Sequence, residues 1–151
     1  MEVRILDRRL LDWGVPGYQS AGAAGIDLMA CLDEPLCLVP QATAVLIPSG
    51  IALSFPGADM AGLVLPRSGA GHRRGLVLGN TVGLIDPDYS GQILISAWNR
   101  NPEGTAPVRI EPGERIAQLV FVPVLRPEFA FVDAFSRETA RGAGGFGSTG
   151  S

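Results

Sequence analysis

Apolar residues come in short runs separated by turn-forming residues: Ile26–Cys31, Ala44–Ile47, Ile51–Phe55, Met60–Leu65, Gly75–Leu78, Gln92–Trp98, Val108–Ile110 and Ile116–Val124. Runs this short and evenly spaced suit strands, and they predict an all-β fold of the sandwich, jelly-roll or small-barrel kind. Proline stands at many of the borders, as at Pro48, Pro56, Pro66, Pro112 and Pro123, where a missing N–H costs no ladder bond. Helix is expected only as a short piece near Ser68–Arg73, after the break at Pro66. No internal repeat is visible, and the pattern ends at Thr139. Residues 1–139 are therefore expected to form one β domain, with residues 140–151 a flexible glycine-rich lid belonging to it.

Composition narrows the possible partners. A chain of 151 residues is one domain by length, and 46% hydrophobic against 18% charged residues is a globular balance. The formal charge of −3 argues against broad electrostatic binding to nucleic acid or an acidic membrane, so any phosphate chemistry must be local. All 12 cationic side chains are arginine, which suits forked contacts to phosphate oxygens and equally reflects genome composition. Cys31 and Cys37 are too far apart for a CxxC motif, and with His72 as the one histidine they make no zinc set. Both are expected to be buried apolar cysteines. Nothing near Met1 resembles a secretion signal and no apolar run could span a bilayer, so a cytoplasmic, reducing location is the expectation.

Five segments carry candidate chemistry. Ala21 to Leu28 is a small-residue loop entering a strand that opens on Asp27; alone it reads equally as a tight turn with a surface acid. Leu65-Pro66-Arg67-Ser68-Gly69-Ala70-Gly71 delivers an arginine, a hydroxyl and two glycines into one turn, a plausible cradle for an oxyanion. Ser68 lacks a nucleophile-elbow context, so a serine hydrolase is set aside. Gly79 to Gly91 contains Asn80, whose donor and acceptor side by side suit the edge of a pyrimidine, and Tyr89, which can pack flat beneath a sugar. Within it, Asp86-Pro87-Asp88 reads as turn chemistry or as a carboxylate holding a water. Pro112 to Phe121 is a turn and strand in which Arg115 and Gln118 interrupt apolar positions; Gln118 can donate to phosphate, and an exposed polar strand face is the simpler reading. His72, Arg73 and Arg74 read as a solvated loop. The tail from Arg141 to Gly150 combines glycines, an arginine, Phe146 and the hydroxyls of Ser148 and Thr149, a mixture suited to clamping phosphate and base, though glycine-rich ends are also ordinary linkers.

Pro66-Arg67-Ser68-Gly69, Gly83 through Gly91 and Arg141 through Gly150, in that order, resemble the trimeric deoxyuridine triphosphatases from about Ile5 to Gly150. The resemblance implies a distorted jelly-roll-like β-barrel, a homotrimer with active sites shared between subunits, Mg²⁺, and hydrolysis of dUTP to dUMP and pyrophosphate, supplying dUMP for dTMP synthesis and keeping uracil out of DNA. Asp86 would orient the attacking water, Tyr89 exclude a 2′-hydroxyl and Asn80 read uracil. Gly83, Leu84, Ile85 and Leu94 would complete the base and sugar contacts. Arg67, Ser68, Gly69 and Gln118 would hold phosphate, and Asp27 would lie near the metal through water, with no direct protein ligand to it. In the tail, Phe146 would stack on uracil while Arg141, Gly147, Ser148 and Thr149 close over the phosphates. The dCTP deaminases resemble the chain in a Gly-x-Ile-Asp-Pro stretch, but Ser96 stands where that family carries a glutamate for proton transfer. A non-catalytic nucleotide-binding module is the other alternative.

Overall fold

The structure, a computed structural model, describes residues 1–139 and 142–143. Its strands form where apolar and polar positions alternate. In β8 (Gln92–Asn99) Ile93, Ile95, Ala97 and Asn99 are buried, while Leu94, Ser96 and Trp98 lie on the outer face. One sheet runs β1 (Glu2–Ile5), β4 (Val45–Ser54), β8, β6 (Leu76–Leu78); a second runs β2 (Gly25–Met29), β10 (Arg115–Pro123), β5 (Met60–Pro66), β7 (Gly83–Ile85). A ribbon of β3 (Leu36–Leu38) and β9 (Val108–Ile110) completes the architecture, and every pairing is antiparallel. The core between the layers includes Leu28, Ile47, Ile51, Ile95, Ile110 and Leu119, all fully buried or nearly so. This is an all-β fold, as the strand pattern predicts, and of the jelly-roll-like kind that the family resemblance implies. Among the described residues no helix is long and apolar enough to cross a membrane.

Several elements differ from the sequence reading. Ala44–Ile47 and Ile51–Phe55 are one strand, β4, because Pro48 to Ala52 forms an irregularity within it: Pro48 pairs with Leu94 and Ala52 with Gln92. Gly50 sits at this kink with φ +75, and its carbonyl accepts N–H bonds from Leu6 (2.7 Å) and Asp7 (3.1 Å). A Cβ there would lie 2.5 Å from Cys31 Sγ and 2.9 Å from Leu10 Cδ1. The short strands β1, β3 and β7 were not expected either. Among the described residues helix occurs at two places: a π-helical turn at Ala70–Arg74, which overlaps the expected region and runs one residue past it, and α1 at Leu10–Trp13, outside it. Asp7 starts α1 by accepting the Arg9 N–H at 2.9 Å, and the Arg9 guanidinium packs 5.1 Å from the Trp13 ring.

The two cysteines also differ. Cys31 is buried at the kink, where burial, reinforced by the Asp7 charge, pushes its thiol up to about 11. Cys37 is exposed, contrary to expectation, because alternation along β3 turns Leu38 inward and Cys37 outward beside its pairing partner Arg109. From Val124 to Thr139 the chain runs without helix or strand, and Leu125, Phe129, Phe131 and Phe135 are 80–98% exposed.

Replacing Gly50 tests the kink. Gly104 has φ +82 with nothing within 4 Å of a built Cβ, so Gly104→Ala should cost only the backbone term of roughly 1–2 kcal/mol. Gly50→Ala should cost about 1–3 kcal/mol more through crowding. Urea unfolding of both variants at one protein concentration measures the difference; equal losses would mean the kink absorbs a methyl group freely. A thiol reagent at pH 8 should label Cys37 in the native protein and reach Cys31 only on denaturation, counted by mass.

Candidate active site

Strand β10 brings the first cluster together. Gln118 stands opposite Asp27 on β2 and Leu65 on β5. Arg115 and Gln118 are three residues apart, which in a regular strand puts them on opposite faces. A register shift between Arg115 and Ala117 pairs Arg115 with Met29, two residues from Asp27, and returns both side chains to Asp27's side of the sheet. The Asp27 carboxylate, 14% exposed, then takes Arg67 Nε at 2.8 Å on Oδ1 and Arg115 Nη1 at 3.4 Å on Oδ2. Arg67 also donates from Nη1 to the Arg115 carbonyl at 3.1 Å, so its guanidinium is fixed before any ligand arrives.

The groove around this pair is bounded by the turn that follows β5. Its walls are Asp27, Arg67, Ser68, Gly69, Arg73, Arg74, Glu114, Arg115 and Gln118, around a volume of about 700 Å³. The Gly71 N–H bonds to the Arg67 carbonyl at 2.8 Å and curls the turn, while Gln118 Nε2 donates to the Pro66 carbonyl at 3.0 Å. Arg74 closes the opposite rim: it is ion-paired with Glu114 and donates to the Arg109 carbonyl. Arg73 lies over the turn, with Nη2 2.8 Å from where a Cβ on Gly69 would be, so glycine at 69 makes room for it. Four arginines face two carboxylates here, so the groove is locally cationic on an anionic chain.

A second depression, of about 250 Å³, lies at the edge strand β7 and is lined by Val64, Asn80, Gly83, Leu84, Ile85, Asp86, Tyr89 and Leu94. The chain reaches it through a tight turn in which Thr81 adopts φ +62 and Val82 N–H bonds to the Asn80 carbonyl at 2.7 Å. Gly83 packs on β5: a Cβ there would lie 3.1 Å from Val64 Cβ and 3.5 Å from Asn80 Nδ2. Asp86 follows β7 directly and is exposed. Tyr89 N–H bonds to the Asp86 carbonyl at 3.1 Å, so acid and ring belong to one turn, and the Tyr89 hydroxyl donates to the Gln92 carbonyl at 2.9 Å.

The residues singled out from sequence thus fall into two groups. Asp27, Arg67, Ser68, Gly69 and Gln118 meet in the cationic groove; Asn80, Gly83, Leu84, Ile85, Asp86, Tyr89 and Leu94 meet in the pocket. The two depressions share no lining residue. Arg141, Phe146, Gly147, Ser148 and Thr149 lie outside the described residues. Arg115 is an exposed strand residue, as the sequence predicts, while Arg74 stands in the π-helical turn and not in a solvated loop; the ion pairs that both make in the groove are not read from sequence. Their partners are 40 and 88 positions away, so no local signal marks them. Among the described residues no three His, Cys, Asp or Glu side chains are grouped to hold a metal ion.

The chain is similar to known proteins over nearly its whole length. The dUTPase family model matches residues 12–150. Deoxyuridine 5′-triphosphate nucleotidohydrolases from Acinetobacter baumannii and Burkholderia multivorans are each 53% identical to it, covering 99% of this chain and 97% of each relative. Among solved structures, the dUTPase of Staphylococcus bacteriophage 80alpha with dUPNHPP has a TM-score of 0.85 at 30% identity, covering 99% of this chain and 98% of that one. Sequence and architecture agree, and the chain belongs to the dUTPase family.

Proposed function

We propose that the chain is a dUTP diphosphatase that hydrolyses dUTP to dUMP and pyrophosphate with Mg²⁺, supplying dUMP for dTMP synthesis and keeping uracil out of DNA. The observation that carries this reading is the pocket in which Asn80, Tyr89 and Asp86 converge beside an edge strand. Its volume suits a pyrimidine and its sugar. Asn80 and the β7 backbone offer paired donors and acceptors to the uracil edge, and Tyr89 packs against deoxyribose, where a 2′-hydroxyl would collide with the ring.

Asp86 accepts a proton from a water aligned with the α-phosphorus. As the oxygen of that water bonds to phosphorus, the bond to the α–β bridging oxygen breaks and pyrophosphate departs. Little covalent help is needed, so orientation and charge neutralisation carry the rate. Arg67, Ser68, Gly69 and Gln118 bind phosphate oxygens, and the pre-set Arg67 fork loses little freedom in doing so. Magnesium fits this donor set as a triphosphate-borne ion: the hydrogen bonds that the Asp27 carboxylate accepts from Arg67 Nη2 and Arg115 Nη1 fall on Oδ2, so Oδ1, ion-paired with Arg67 Nε, keeps a lone pair for a metal-bound water. Bound there, the ion would neutralise charge on the triphosphate.

The active unit is a homotrimer in the cytoplasm, each site drawing on neighbouring subunits, with residues 140–151 closing over bound nucleotide as a lid. Two observations support assembly. Groove and pocket are separate on one chain, and apolar surface is left uncovered: Leu46 and Leu94 on the outer face of β4 and β8, and the rings from Phe129 to Phe135.

Asp86→Asn should lower pyrophosphate release from dUTP by about 10²–10⁴-fold while nucleotide binding, followed by calorimetry with a non-hydrolysable analogue, persists. Full activity in that variant would refute the role of Asp86. A chain ending at Thr139 should assemble as the full chain does, by light scattering, yet lose turnover on the order of 10²-fold. Retained turnover would return the tail to a plain linker.

A further inference from the structure

Tyr89 is built into its position by two neighbours that the reaction itself does not use. A Cβ on Gly91 would lie 2.6 Å from Tyr89 Oη, 2.7 Å from Cζ and 3.1 Å from Cε2, so the ring tip occupies the space that any larger residue would fill. Gly91 is not among the residues with positive φ, so the requirement is room and not backbone conformation. The same ring tip is tethered by the 2.9 Å bond from Oη to the Gln92 carbonyl. Gln92 is the first residue of β8 and pairs with Ala52 on β4, so the tether ends on the sheet, which moves less than a loop. At its other end the Tyr89 turn is closed onto the Asp86 carbonyl.

We infer that Gly91 and the Gln92 carbonyl form a seat for the Tyr89 ring and thereby set the selectivity of the site for deoxyribonucleotides over ribonucleotides. Both act as positioning groups, through Tyr89 and without touching substrate. The inference rests on the reading of the pocket as a dUTP site with Tyr89 against the sugar. A ring displaced from its seat no longer packs beneath deoxyribose, so dUTP loses a favourable contact. UTP has no such contact to lose and is relieved of the collision between its 2′-hydroxyl and the ring, so both effects lower the dUTP-to-UTP ratio.

The test compares kcat/KM for dUTP and for UTP in the wild type, Tyr89→Ala, Tyr89→Phe and Gly91→Ala, with thermal unfolding recorded for each. Tyr89→Ala measures what the ring contributes. Gly91→Ala should lower the dUTP-to-UTP ratio by at least about tenfold, mostly through the dUTP KM, and Tyr89→Phe, which removes only the tether, should lower it by a smaller factor. A general loss of folding would lower both substrates alike and leave the ratio unchanged, so the ratio separates positioning from stability. If Tyr89→Ala loses discrimination while Gly91→Ala and Tyr89→Phe keep the wild-type ratio, the seat is overturned and the sugar contact stands. If Tyr89→Ala itself keeps the ratio, the sugar contact fails and the seat with it. A wild type that releases pyrophosphate from neither nucleotide would overturn the proposed function.

Discussion

Strand β10 is paired on both sides, and the positions of the groove-lining residues follow from the register of those two ladders. Ala117 opposes Leu28 and Pro66, Gln118 opposes Asp27 and Leu65, and Leu119 opposes Ile26 and Val64. Ala117 and Leu119 are fully buried, so a slip by one residue would send the Gln118 amide into the core and two apolar side chains to the groove. Packing therefore fixes the register, and the register fixes where Asp27, Gln118 and the start of the Arg67 turn meet. The sheet order β2, β10, β5, β7 then sets the groove across its first three strands and the pocket across its last two.

Charge in the groove is arranged around one carboxylate. Asp27 engages both Arg67 and Arg115, which neutralises the acid but leaves the pair of arginines with unused donors. A second ion pair, Arg74 with Glu114, ties the π-helical turn to the turn before β10, and Glu114 also accepts the Glu111 N–H at 3.0 Å. Two loops far apart in sequence are thus braced against each other. An anionic protein keeps one cationic surface by gathering arginines from β10, the turn after β5 and the π-helical turn around one groove.

How much of this is legible in the sequence depends on how local the determinant is. Strands β5, β8, β9 and β10 carry enough alternating or continuous apolar residues to be read directly, and all the pocket residues except Val64 lie within one short stretch, Asn80 to Leu94. β4 is read as two strands because Pro48 and Gly50 look like a turn, when a glycine with positive φ instead lets one strand bend and continue. β7 escapes notice because three residues at a sheet edge need only one ladder. Arg115 is read as an exposed strand residue and is one, but its ion pair with Asp27 escapes notice because only the bulge opposite Met29 brings the two side chains together. Cys37 is misread because its neighbours are apolar, and burial is inferred for a position that alternation turns outward.

The segment after β10 bears on how the protein responds to dilution. Leu125, Phe129, Phe131 and Phe135 leave large apolar surfaces in water on a single chain, each worth on the order of 1.5–3 kcal/mol if buried. Partner chains that cover such surfaces bind the folded form alone and stabilise it by mass action. In the proposed assembly, thermal stability is a property of concentration as much as of sequence, and melting temperatures measured at different protein concentrations describe different equilibria.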